Sequence, residues 1–207
     1  MIKDVKICGI SDPETLNYIL NHKYPPGFLG FITNYEKSKR FVEYEKLKDL
    51  INVDKRQVNF VSVLVSPSDE ILEKIKNLNF DYYQLYDVDP ERTKEIKLEY
   101  KIKIITAITV SDKEDIIKYK KYTGVSDIIL FDSKGYHRSQ SFDHGLLKDV
   151  PHSLNKMIAG NIQIEDIPNF KNTDYMIDIS GALEDENGNK DIKKIDMFLN
   201  TVHNINT

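Results

Sequence analysis

Eight short apolar runs divide this chain, at residues 5–8, 28–32, 60–65, 82–85, 104–109, 127–131, 156–159 and 175–179, and most hand over at once to a polar or helical stretch. After the first run come Ser11, Asp12, Pro13 and Glu14: Ser11 is placed to cap a first turn, Glu14 to close a capping box, and Pro13 already holds a helical φ. Leu16, Ile19 and Leu20 then recur at helical spacing. The same handover follows the third run at Ser66-Pro67-Ser68-Asp69, the fourth at Asp89-Pro90, and the fifth at Ser111-Asp112-Lys113-Glu114, which repeats the Ser-x-x-Glu box. Strands alternating with helical segments, one unit every ~20–25 residues, are the pattern of a parallel sheet with crossover helices.

Eight such units predict a single-domain α/β chain, a (β/α)8 TIM barrel over residues 1–207, although barrels of this class usually need about 250 residues. A doubly wound open sheet is the competing architecture. No Gly-x-Gly-x-x-Gly follows the first run, and eight units exceed what one flavodoxin-like layer uses. The turn at Tyr24-Pro25-Pro26-Gly27 and the polar stretch 135–143 read as loops inside the pattern, not as linkers.

Composition narrows the function. With 29 basic and 33 acidic side chains the formal charge is −4, whereas phosphate-tracking nucleic-acid binders carry clustered excess Lys and Arg. No nucleic-acid partner is expected, and any anionic ligand must be held locally. The one cysteine, Cys8, excludes an internal disulfide and a cysteine-rich zinc site and points to a reducing, cytoplasmic setting. No apolar stretch is long enough for a membrane span, and no signal peptide opens the chain. The five histidines lack metal-ligand spacing, so no metal is assigned.

In a barrel the chemistry gathers at the carboxyl ends of the strands. Cys8 ends the first run, and period-two alternation puts Lys6 and Cys8 on the barrel-facing side, with Val5 and Ile7 facing the helices. A cation behind the thiol favours thiolate; the plainer reading of Cys8 is a small buried hydrophobe. Asp132 closes the apolar run Ile128-Ile129-Leu130-Phe131 on the face shared by Ile128 and Leu130. A carboxyl at an apolar mouth should have a raised pKa, as a general acid requires, unless it is simply a cap or turn aspartate. Asp178 ends the eighth run with the same two readings. Gly160-Asn161 and Ser180-Gly181 follow runs seven and eight, where small residues let backbone N–H groups approach a phosphate and where ordinary turns also occur. Arg40, in Ser38-Lys39-Arg40, can fork onto a carboxylate or lie solvated.

These residues converge on a resemblance. Lys6-Ile7-Cys8-Gly9-Ile10 resembles the Lys-Ile-Cys-Gly opening of the phosphoribosylanthranilate isomerase family of tryptophan biosynthesis. Gly30-Phe31 with Ser38-Lys39-Arg40, Gln84-Leu85, Asp132, Phe142-Asp143, Ala159-Gly160, the stretch from Asp178 to Glu184, and Gly188-Asn189-Lys190-Asp191 follow the family's segments in order across essentially the whole chain. The departures are Tyr86-Asp87 for His-Gly, Tyr136-His137-Arg138-Ser139 for Gly-Gly-Thr-Gly, Asn161 for a second glycine, and Gly181-Ala182 for Ser-Gly. In the altered loop Arg138 would add charge.

The resemblance implies an Amadori rearrangement of N-(5-phosphoribosyl)anthranilate to its ribulose isomer. Asp132 would be the acid at the ribose ring oxygen and Cys8 the base at C2. It further implies Arg40, Gln84 and Asp178 as substrate-binding residues, Gly160, Asn161, Ser180 and Gly181 around the phosphate, and no cofactor. The expected partner is a small phosphorylated substrate, and the expected assembly a monomer or homodimer. The alternatives are a non-catalytic barrel binding a phosphorylated metabolite, motivated by the altered loop, and a related sugar-phosphate aldose-ketose isomerase. That last family relies on paired aspartates, against which Cys8 argues.

Overall fold

A computed structural model describes residues 1–133 and 142–207. The altered loop at Tyr136, His137, Arg138 and Ser139 lies outside the described residues. Eight parallel strands pair in sequence order and close into a barrel: β1 (Asp4–Cys8), β2 (Phe28–Ile32), β3 (Asn59–Val65), β4 (Tyr82–Tyr86), β5 (Lys103–Val110), β6 (Ile128–Ser133), β7 (Lys156–Ile158) and β8 (Met176–Ile179). Each expected run is a strand. The sixth runs two residues beyond Phe131 because Asp132 and Ser133 still pair with Thr109 and Val110 of β5. Asp132 is therefore held by the sheet itself.

The helices are α1 (Pro13–Asn21), α2 (Tyr44–Leu50), α3 (Asp69–Ile75), α4 (Pro90–Tyr100), α5 (Lys113–Ile117), α6 (Tyr119–Tyr122) and α7 (Ile192–Asn206). Between β6 and α7 the helical elements among the described residues are 3₁₀ turns, at His144–Asp149, Ile164–Phe170 and Gly181–Leu183. No helix among the described residues is long and apolar enough to cross a membrane.

The helix starts correct one expectation. Asp12, not Ser11, caps α1 by accepting from the Thr15 N–H at 2.8 Å, and Asp112, not Ser111, caps α5 by accepting from Glu114 and Asp115. In both tetrapeptides the aspartate sits directly before the helix, with a short carboxylate that reaches the exposed N–H groups and complements the helix dipole. Asp89 and Ser68 cap α4 and α3.

Alternation sorts the strand residues into two cores. One face of each strand, including Val5, Ile7, Leu29, Phe31, Phe60 and Leu64, packs on helix residues such as Leu16, Ile19, Leu72, Ile96 and Phe198. The other face fills the barrel with Phe28, Val61, Val63, Tyr82, Ile105, Leu130, Met157 and Met176. The Phe28 and Tyr82 rings meet edge to face at 5.5 Å and plug the amino-terminal end.

At that same end a repeated device fixes strand starts. Asp4 accepts from the Gly27 N–H, Asp81 from the Phe60 N–H and Asp127 from the Ile104 N–H, and Lys55 and Lys97 pair with the last two carboxylates. Asp81 and Asp127 each satisfy a backbone donor of the preceding strand, and Asp4 one at the start of the next. Asp127→Ala strands the Ile104 donor, so it is expected to lower the stability by about 1–3 kcal/mol, read as a lower urea midpoint at unchanged slope.

Candidate active site

At the carboxyl ends of the strands lies a cleft of about 880 Å³. That volume suits a small-molecule ligand. Cys8, Arg40, Asp132, Gly160, Asn161, Asp178, Ser180 and Gly181 all stand in its wall. Of the expected catalytic, substrate-binding and phosphate-binding residues, Gln84 alone is not in that wall. It is buried inside the barrel, and its amide Nε2 donates to the Tyr86 hydroxyl at 3.3 Å.

The floor is built on the β1–β8 seam. Lys6 pairs with Asp178 in register across these strands, and both side chains point inward, so Lys6 Nζ meets Asp178 Oδ2 at 2.7 Å with the lysine fully buried. Burial pulls the Lys6 ammonium toward neutrality, but Asp178 beside it, with Cys8, outweighs that pull and holds its pKa above the ordinary value. Asp178 Oδ1 has no partner among the described residues. Gly30 on β2 makes room for this arrangement. A Cβ there would stand 2.8 Å from Cys8 Sγ and 3.0 Å from Lys6 Nζ.

Lys6 does sit behind the Cys8 thiol and favours its thiolate, but the net shift runs the other way. Burial pushes the thiol up, Lys6 draws it down, and the neighbouring Asp178 carboxylate pushes it up again, leaving its pKa above the ordinary value. The Lys6 ammonium still acts on the sulfur, but burial is the larger effect and the Asp178 carboxylate works in the same direction as burial.

Asp132, on β6, behaves as its sequence context predicts. Desolvation raises its pKa to about 6, against the pull of the Tyr86 hydroxyl and the Ser133 N–H. Tyr86 donates to Asp132 Oδ2 at 2.8 Å, and the Ser133 N–H donates to Oδ1 at 2.8 Å.

Arg40 reaches the cleft from the loop after β2, which Ile32 and Phe41 fold back by a β-bridge. Its guanidinium does fork onto a carboxylate, that of Glu184, through Nε and Nη2. It lies over Gly9 and Gly181, and at Gly9 any side chain would strike it. Lys39 and Lys190 also reach Glu184, at 3.0 and 3.1 Å. Burial works against charge on Glu184, yet Arg40, Lys190 and Lys39 bring its pKa down to about 2. Lys190 further donates to the Ser180 carbonyl at 2.9 Å, and the Ser180 hydroxyl donates to the Cys8 carbonyl at 2.9 Å. One chain of contacts thus runs from Arg40 to the loop after β8.

The loop after β7 turns at Gly160 (φ +101°) and Asn161 (φ +54°). A Cβ at Gly160 would overlap Ser133, so glycine alone lets this loop close against β6. Sequence reasoning gave no role to Tyr86, Glu184 or Lys190. The inward parity of Tyr86 with Gln84 was available as a signal; the convergence of three cations on Glu184 was not, because Arg40 lies 144 positions from it along the chain.

Comparison with known proteins sets this geometry in context. The family model described as N-(5'phosphoribosyl)anthranilate (PRA) isomerase matches residues 5–201. N-(5'-phosphoribosyl)anthranilate isomerases of Zymomonas mobilis subsp. pomaceae and Agrobacterium fabrum are 32% and 30% identical, over 95% and 98% of this chain and 96% of each relative. The crystal structure of phosphoribosyl anthranilate isomerase from Thermotoga maritima superposes with a TM-score of 0.85 at 25% identity, covering 99% of this chain and 100% of that one. A solved isomerase in complex with reduced 1-(o-carboxyphenylamino)-1-deoxyribulose 5-phosphate has the same fold, with a TM-score of 0.82 at 24% identity over 99% of this chain and 100% of that one.

Removing one partner of the floor ion pair leaves a buried charge uncompensated. Lys6→Met is expected to cost about 3–5 kcal/mol. Lys6→Met with Asp178→Leu should recover much of that loss, as read by chemical denaturation of the two variants side by side.

Proposed function

This chain belongs to the N-(5'-phosphoribosyl)anthranilate isomerase family, its reaction is the aldose-to-ketose isomerisation of that phosphoribosyl amine in tryptophan biosynthesis, and we propose that Asp132 is its acid and Cys8 its base. The observation that carries the assignment is the cleft itself: a desolvated carboxyl from β6 and a thiol from β1 open into one cavity of about 880 Å³.

Asp132 gives its proton to the ribose ring oxygen, the C1–O bond breaks, and the nitrogen lone pair forms the imine. Cys8 then takes the C2 proton, and the C2–H electron pair moves toward the imine to give an enolamine, which tautomerises to the ketone. The substrate's own imine is the electron sink, so the scheme uses no cofactor. Arg40 faces the anthranilate carboxylate with the part of its fork that Glu184 does not occupy. Asp178 Oδ1, which takes no partner among the described residues, accepts from a sugar hydroxyl. Gly160, Asn161, Ser180 and Gly181 surround the phosphate, supported by their position after β7 and β8. Gln84 contributes from beneath, through Tyr86. The whole chain, 1–207, acts as one catalytic domain in the cytoplasm, as a monomer or homodimer, on a small phosphorylated substrate.

Asp132→Asn and Cys8→Ala are each expected to cut turnover by roughly 10² to 10⁴-fold, measured as loss of anthranilate fluorescence in protein whose fold is verified. Wild-type rates in either variant remove that residue from the scheme.

The pH dependence follows from the two shifts. Asp132 must be protonated, and its protonated fraction falls tenfold per pH unit above about 6. Cys8 must be ionised, and its ionised fraction climbs tenfold per unit until a pKa above the ordinary thiol value. Their product makes kcat/KM of the free enzyme rise up to about pH 6, stay level, and fall only beyond the thiol's pKa. A sharp optimum near neutrality contradicts this assignment.

A further inference from the structure

Alternation on β4 turns Tyr82, Gln84 and Tyr86 into the barrel, so that Tyr86 arrives at the cleft directly above Gln84. Gln84 Nε2 donates to the Tyr86 oxygen at 3.3 Å, and the Tyr86 hydroxyl donates to Asp132 Oδ2 at 2.8 Å. A phenol has one proton. With an amide N–H directed at its oxygen, that proton is turned toward the carboxyl.

We propose that Tyr86 is a positioning residue for the acid step: its hydroxyl, aimed by Gln84, orients the Asp132 carboxyl and stabilises the negative charge that Asp132 gains on giving up its proton. The proposal rests on the assignment of Asp132 as the acid. Two fixed donors bracket the carboxylate, the Tyr86 hydroxyl on Oδ2 and the Ser133 N–H on Oδ1. Both become stronger as charge develops, because a hydrogen bond to an anion is roughly twice as strong as one between neutral groups. Interactions that strengthen toward the transition state are the ones that raise kcat.

Among the described residues, the other charged groups that act on Asp132 come from β8 and β1. Asp178 opposes its ionisation and Lys6 favours it. Tyr86 keeps its own proton throughout, since burial, then Asp132, Asp178 and Cys8, raise its pKa well above the ordinary phenol value. It donates to Asp132 without exchanging places with it.

The test is Tyr86→Phe, which keeps the ring and removes the donor. The Asp132 titration is followed by carboxyl ¹³C NMR of Asp-labelled protein, with Asp132→Asn identifying the signal, alongside kcat/KM against pH. In Tyr86→Phe the carboxyl is expected to titrate about one pH unit higher, the pH at which kcat/KM levels off to move up with it, and kcat to fall roughly tenfold. Gln84→Met with Tyr86→Phe removes the amide left without a partner and should show the same displacement, which separates the effect from any loss of folding. A carboxyl that titrates as in the wild type in both variants overturns the proposal and leaves the acid assignment standing. A carboxyl that moves while the pH at which kcat/KM levels off stays fixed overturns the acid assignment itself.

Discussion

The ion pair between Lys6 and Asp178 is the constraint around which this site is arranged. It joins the first and last strands at their shared register, 172 positions apart in the chain, inside a barrel whose filling is otherwise almost wholly apolar. A charge so placed must be compensated at contact distance, because the water that would otherwise solvate it has been excluded. Meeting that demand fixes two side chains, and through them the geometry above. Lys6 fills the space over Gly30, and Cys8, two residues on along the same face, rests on the same glycine. The positions of the thiol, the seam and the glycine follow from one buried contact.

Around this floor the charged groups fall into two zones. On the Arg40 side, three cations, Lys39, Arg40 and Lys190, surround one carboxylate, Glu184, leaving an excess of positive charge next to the loop after β8. On the Asp132 side the carboxyl's donors among the described residues are neutral, the Tyr86 hydroxyl and a backbone N–H. The first zone suits the anionic ends of a phosphorylated carboxylic substrate. The second suits a proton that must be held near neutral pH and then released. Mixing them would fail: a cation at Asp132 would strip its proton, and an apolar wall at Arg40 would leave the substrate's charges unsatisfied.

Much of this was legible in the sequence because it rests on local rules. The strands announce themselves as short apolar runs, and the inward parity of Lys6, Cys8 and Asp132 follows from the pleat alone. Helix starts were legible to within one residue; aspartate displaced serine as the cap at residues 12 and 112 because the residue adjoining the first turn wins. What stayed hidden required distant parts of the chain to meet. Asp178 was visible as a strand-end carboxylate but not as the partner of Lys6. Arg40 was visible as a potential fork, while its partner Glu184 belongs to a loop whose position depends on barrel closure. The net direction of the thiol's shift stayed hidden for the same reason: Lys6 draws it down, but burial on barrel closure and the Asp178 carboxylate from β8 push it up.

That last point bears on why a thiol stands at position 8. The floor holds one ammonium, Lys6, against one carboxylate, Asp178, with a second carboxyl, Asp132, at the rim. An aspartate at position 8 would crowd a third acidic group around a single cation, and like charges at such range force one of them to keep its proton. A thiol avoids the conflict because it is neutral at rest. On the proposed assignment, ring opening places a protonated imine next to Cys8, and that new positive charge favours the thiolate at the moment a base is needed. The raised thiol pKa of the free enzyme then marks a base that stays protected until its substrate supplies the charge that ionises it.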